Sequence, residues 1–84
     1  MTTTEHLLYH LRASGPADHV NIEWYLLRQA HGVTTSNAHQ VTELSIEIAC
    51  RHGWITVYGE PEPGTPISYE ITQRGLDNLT LMRI

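Results

Sequence analysis

Leu7, Leu8 and Leu11 recur at the spacing of one helix face, and Thr2 stands three residues ahead of Glu5, the interval of a reciprocal helix-capping pair. The pattern predicts a first helix from about Thr3 to Ala13, ended by Ser14-Gly15-Pro16. Asp18 is placed to cap a second helix in which Val20, Trp24 and Leu27 line one face, Leu26 and Ala30 widen the stripe, and Gly32 closes the end. After a short turn from Gly32 to Thr35, Ser36 is the expected cap of a third helix reaching about His52. At about 100° per residue, Val41, Leu44, Ser45, Ile48 and Ala49 of that helix share one arc, while Ser36, Gln40, Glu43, Glu47 and Arg51 share the opposite one. The first arc is the expected core contact and the second the expected surface.

Gly53 ends this helix, and Trp54 to Tyr58 is a β-branched and aromatic run of the kind strands use. Gly59-Glu60-Pro61-Glu62-Pro63-Gly64-Thr65-Pro66 is punctuation, and Ile67, Tyr69 and Ile71 alternate behind it, so a β-hairpin with a long, proline-stiffened tip is expected. Thr72 is the expected cap of a final helix striped by Leu76, Leu79 and Met82. Both tryptophans are expected in the core: Trp24 from the stripe of the second helix, Trp54 from the junction of the third helix with the hairpin. The sum is an α+β chain, three helices forming a core, then a hairpin and a short last helix.

With 84 residues the chain has room for one hydrophobic core, so a single domain over residues 1–84 is expected. Its 17% charged residues and evenly spread aliphatics are those of a globular protein. Cys50 is the only cysteine, which excludes an intramolecular disulfide and suits a reducing compartment. No basic stretch precedes an apolar run at the N-terminus, and no run nears the roughly 20 residues of a membrane span, so a cytoplasmic, membrane-free protein is expected.

Candidate chemistry is sparse. His6 and His10 lie one helical turn apart, with Glu5 or His19 able to complete a metal site, but no third ligand stands at a recognisable interval; surface histidines are the expectation and no metal is assigned. Cys50 and His52 are two apart on a helix and point away from each other, which argues against a thiolate–imidazole nucleophile. With no glycine-rich phosphate loop, hydrolase elbow or paired acids, neither an enzyme nor a cofactor is expected.

Two stretches carry a resemblance. Arg51-His52-Gly53-Trp54-Ile55 ends a helix in a basic residue, a glycine and an apolar pair. In Tyr69-Glu70-Ile71-Thr72-Gln73-Arg74-Gly75, Tyr69 and Ile71 share a strand face, Thr72 caps the next helix and Gly75 lets its first turn pack closely. Together with the order of elements these resemble the winged helix-turn-helix regulators of bacteria and phages, including the PadR-like and MarR-like groups. The resemblance implies a dimeric transcriptional regulator that reads double-stranded DNA through its third helix. Ser36, Asn37, Gln40, Glu43, Glu47 and Arg51 would face the groove, with Gln40 suited to adenine and Arg51 to guanine or phosphate. Arg28 and Arg74 would meet phosphates. Leu76, Leu79, Leu81, Met82 and Ile84 supply enough apolar surface at the C-terminus for a partner helix in a homodimer, with a core role for half of them equally open.

Charge opens an alternative. Nine carboxylates face five arginines and no lysine, a formal net charge of -4, and six histidines make any DNA binding sensitive to pH. The hairpin tip carries Glu60 and Glu62 where a DNA-reading wing carries cations, and Arg51 is the only cation on the exposed arc of the third helix. Glu43, Glu47, Glu60 and Glu62 could instead form an acidic face that binds a host protein, as a phage accessory factor or a DNA-mimicking inhibitor would.

Overall fold

A computed structural model describes residues 1–82, with side chains described through residue 80. Three of its helices start where the sequence supplies a capping oxygen. Thr2 Oγ1 accepts from the Glu5 amide at 3.2 Å ahead of α1 (Thr3–Ser14), and Asp18 Oδ1 accepts from the Asn21 amide at 2.9 Å ahead of α2 (His19–Gln29). Each such cap is worth about 1 kcal/mol. The third helix, α3 (Ala38–Arg51), has no side-chain cap. Its flanking residue Asn37 is spent on the preceding turn: Oδ1 accepts from the Thr34 amide at 2.8 Å and Nδ2 donates to the Gly32 carbonyl at 3.2 Å. Ser36 and Asn37 therefore lie in the turn before α3, two residues outside the helix expected to begin with them.

A two-residue strand absent from the sequence reading, β1 (Ala17–Asp18), separates α1 from α2. It pairs antiparallel with β3 (Ser68–Ile71), which also pairs with β2 (Ile55–Val57), giving a three-stranded sheet in the order β1-β3-β2. The hairpin register sets Ile55 opposite Ile71 and Val57 opposite Tyr69. Ile55 is buried, and Ile71 and Tyr69 pack on the same core, so one sheet face is apolar as the alternation requires. The final helix, α4 (Gln73–Met82), follows β3 directly.

The core joins Leu7, Leu8 and Leu11 of α1, Ile22, Leu26 and Ala30 at the second helix, Ile46 and Ala49 of α3, Ile55 of β2 and Leu79 of α4. Each fully buried leucine or isoleucine contributes about 1.5–3 kcal/mol of transfer free energy. Two helices bury a face that overlaps the expected one, through Leu26 and Ala30 in α2 and Ser45 and Ala49 in α3, but is turned away from part of it. In α2 the buried row is Ile22, Leu26 and Ala30, whereas Val20 and Trp24 are each 59% exposed and Leu27 is half-buried. In α3 the buried row is Ala38, Thr42, Ser45, Ile46 and Ala49, leaving Leu44 and Ile48 on the surface. The buried arc of α3 is thus rotated by roughly 80° from the expected one. Small side chains explain the choice, because alanine, serine and threonine let neighbouring helices approach closely. Ser45 meets its polar requirement inside: Oγ donates to the Val41 carbonyl and shares a hydroxyl–hydroxyl bond with Thr3 Oγ1, both at 2.9 Å. Trp54 is half-buried against the core, as expected; Trp24 is not.

One joint ties α3, the hairpin and α4. Thr72 Oγ1 donates to the Gly53 carbonyl at 2.6 Å and accepts from the Gly75 amide at 3.1 Å, while the Thr72 amide donates to the Trp54 carbonyl at 2.9 Å. A Cβ on Gly75 would stand 2.3 Å from that same carbonyl oxygen. Gly75→Ala should therefore destabilise the fold by about 2 kcal/mol even after alanine's better helix propensity is credited. Thr42→Val should do the opposite, by about 1 kcal/mol, because the buried Thr42 Oγ1 has no hydrogen-bond partner among the described residues. Urea denaturation checks both: the midpoint falls for the first variant and rises for the second at unchanged slope.

Candidate functional site

The exposed arc of α3 carries Gln40, Glu43, Leu44, Glu47, Ile48 and Arg51. The polar members are those the helical period assigned to the surface; the two apolar ones are newcomers, 52% and 42% exposed, brought out by the rotation of the buried arc. Arg51 bonds Glu47 one turn earlier through Nη2, an exposed i,i+4 pair worth a few tenths of a kcal/mol. The one cation of the arc is therefore matched to an anion of the same arc. Arg74 adds a second cation nearby: its side chain runs over Gly53, with Cδ and Nη1 each 3.5 Å from where a Cβ would sit. That places it at the carboxyl end of α3, where the helix dipole favours positive charge. Arg28 is exposed on α2, and Glu60 and Glu62 are exposed on the hairpin tip. Ser36 is exposed in the turn before α3, and the Asn37 amide group is occupied by that turn.

Beside this arc a groove of about 420 Å³ opens between the start of α1, from Thr2 to Glu5, and Ile48, Trp54 and Asn78. Trp54 stacks on His52 with ring centroids 4.3 Å apart. On α4, Leu79 is fully buried in the chain's own core, which removes it from the helix-to-helix dimer contact expected of it, and Leu76 is half-buried. The side chains of Leu81, Met82 and Ile84 lie outside the described residues.

The histidines divide differently from the sequence expectation. His10 Nε2 bonds Asn21 Oδ1 at 2.6 Å and its ring stacks on Tyr25 at 4.2 Å, which uses it in joining α1 to α2. Among the described residues, the one group of three placed to hold an ion is His19, Glu23 and His39, whose donor atoms all lie within 4.8 Å of one another. Glu23 Oε1 is 3.6 Å from His19 Nδ1 and 3.3 Å from His39 Nδ1, and His39 Nε2 is 3.2 Å from Glu43 Oε1. The sequence signal was a repeated His-x-x-x-Glu, at 19–23 in α2 and 39–43 in α3. Each half alone reads as a one-turn surface pair, and only the packing of α2 on α3 brings the halves together.

No helix among the described residues is long and apolar enough to cross a membrane. No protein-family model and no curated protein matches the chain.

Cys50 is exposed and has no activating partner among the described residues; the partial burial of its thiol pushes it above the ordinary cysteine range, and it in turn raises Tyr69, whose first cause of elevation is also burial. The thiolate is thus scarcer at neutral pH in the folded chain than in an unfolded one. Alkylation by iodoacetamide at about pH 8 should accordingly be slower for native protein than for protein in urea, with a rate midpoint displaced to higher pH. A native rate equal to that of a free peptide thiol would show that the thiol is not shielded.

Proposed function

We propose that the chain is a winged helix-turn-helix DNA-binding regulator in which α3 enters the major groove. The observation that supports this reading is topological: α2, a turn pinned by Asn37 and α3 follow one another and lead into a hairpin, and β1, between α1 and α2, joins the sheet on β3. The polar arc of α3 is left out of the core, and a helix fits the roughly 12 Å width of that groove. Gln40 is the residue suited to an adenine edge, Glu43 and Glu47 to cytosine, and Arg51 and Arg74 to guanine or phosphate at the end of the helix.

Charge restricts how this works. Arg28, Arg51 and Arg74 would neutralise about three phosphates per chain, so affinity should fall with salt at a log–log slope of only about −3. Two copies are then needed for useful affinity, and Leu79, which is internal to the core, is not available to join them. Glu60 and Glu62 keep the hairpin tip off the duplex, leaving α3 as the reader.

A second reading is favoured by Leu44 and Ile48, which alternate with Glu43 and Glu47 on the same exposed arc. Apolar side chains framed by acids suit a basic, apolar groove on another protein better than a polyanion.

Electrophoretic mobility shift at low salt, with pooled duplexes as probe, separates the two. The DNA reading expects a retarded band at micromolar protein, weakened several-fold by Arg51→Ala or Arg74→Ala. Glu47→Gln should strengthen it several-fold, because one anion leaves the interface and Arg51 is released. Absence of a band for wild type and Glu47→Gln alike at about 10 µM protein would overturn the DNA reading, since non-specific binding alone reaches that range.

A further inference from the structure

We infer that His19, Glu23 and His39 form a binding site for one divalent transition-metal ion that bridges α2 and α3, with Glu43 orienting His39 from behind. This does not rest on the DNA reading. A tetrahedral zinc site with ligands at about 2.0–2.2 Å sets its donor atoms about 3.3–3.5 Å apart. Glu23 Oε1 already stands 3.3 Å from His39 Nδ1 and 3.6 Å from His19 Nδ1. The remaining edge, between the two imidazoles, is bounded at 4.8 Å and closes by a rotation of the exposed His39 ring. Three protein donors leave a fourth position for water.

The second carboxylate distinguishes this cluster from an ordinary pair of surface contacts. His39 is approached from both ring nitrogens: Nδ1 faces Glu23, and Nε2 faces Glu43 at 3.2 Å. A carboxylate accepting from Nε2–H fixes the tautomer that leaves the Nδ1 lone pair pointing at Glu23 and His19, the arrangement by which second-layer acids tune metal-bound histidines. His19 is limited in a complementary way: its Nε2 is buried with no partner among the described residues, so Nδ1 is its one useful nitrogen, and that atom faces Glu23. Two imidazoles and a carboxylate are a donor set for zinc, nickel, cobalt or copper; magnesium and calcium require oxygen-rich shells.

The site also has a mechanical consequence. His19 and Glu23 belong to α2 and His39 to α3, so a bound ion cross-links the two helices on either side of the Asn37 turn. Because the three donors converge only when α2 packs on α3, binding favours the folded chain and raises its thermal stability.

Untagged protein, stripped with EDTA, is titrated with Zn²⁺ by calorimetry and melted with and without the ion. The expected result is one Zn²⁺ per chain and a melting temperature raised by about 5 °C or more at saturating ion, with no effect of Mg²⁺. His39→Ala should abolish both signals while leaving the melting temperature in EDTA unchanged, because that ring is 72% exposed and absent from the core. Glu43→Gln, a change to a positioning residue, should weaken zinc affinity about 10-fold and likewise leave the EDTA melt alone. Two results overturn the assignment: no saturable heat with no stabilisation, which reduces the cluster to i,i+4 ion pairs, or a zinc response that survives His39→Ala, which places the ion on other histidines.

Discussion

Thr72 sets the geometry on which the rest of the molecule depends. One hydroxyl donates to the Gly53 carbonyl at the end of α3 and accepts from Gly75 in the first turn of α4, and the Thr72 amide holds the Trp54 carbonyl where β2 begins. Three elements that already share the core through Ala49, Ile55 and Leu79 are thereby also tied by hydrogen bonds at their ends. Gly75 makes the lock possible, since a Cβ there would stand only 2.3 Å from the Trp54 carbonyl oxygen. At its other end α3 is held by the turn that Asn37 cross-braces, and at its middle by Ser45 on Thr3. With three fixed points the roll of α3 is determined, and so is the set of side chains it offers to a partner.

Local signals were legible in the sequence because they act over a few residues. Thr2, Asp18 and Thr72 cap the helices their positions announced, and Tyr69 and Ile71 face the core together. The choice of buried face was not legible. In α2, Val20-Trp24-Leu27 and Ile22-Leu26-Ala30 are both apolar rows at helical spacing, and periodicity cannot rank them. Tertiary packing chose the row ending in alanine, where α2 can come close to its neighbours. In α3 the residues that permit close approach are Ala38, Thr42, Ser45 and Ala49, which a hydrophobicity pattern scores below Leu44 and Ile48. The strand β1 escaped for a simpler reason: at two residues it has no period to detect, and Asp18 serves in both the strand and the cap of α2.

The rows rejected by the core did not become neutral surface. Val20 and Trp24 on α2, with Leu44 and Ile48 on α3, leave apolar side chains exposed on both helices that flank the Asn37 turn. Aromatic and aliphatic groups interleaved with carboxylates give that surface two characters at once. The polar arc through Gln40, Glu47 and Arg51 is readily hydrated, while its apolar flank of Leu44 and Ile48 resists full hydration. Which character dominates depends on charge, since shape alone permits either partner.

Charge is also where the histidine cluster meets the exposed arc of α3. Glu23 and Glu43, two of the nine carboxylates, stand at the α2–α3 contact, and Glu43 lies on the arc that would face a groove. A divalent cation held by His19, Glu23 and His39 would place two positive charges beside the amino end of α3 in a chain whose formal charge is -4. Those charges would sit within about one Debye length of the polar arc, close enough for screening by salt to be incomplete. Arg51 and Arg74 already supply cations at the carboxyl end of the same helix, and the ion would supply them at the other. The spacing of the repeated His-x-x-x-Glu and the close packing of α2 on α3 thus bear on one electrostatic question, which end of α3 repels a polyanion. The answer is the end that a metal ion would change.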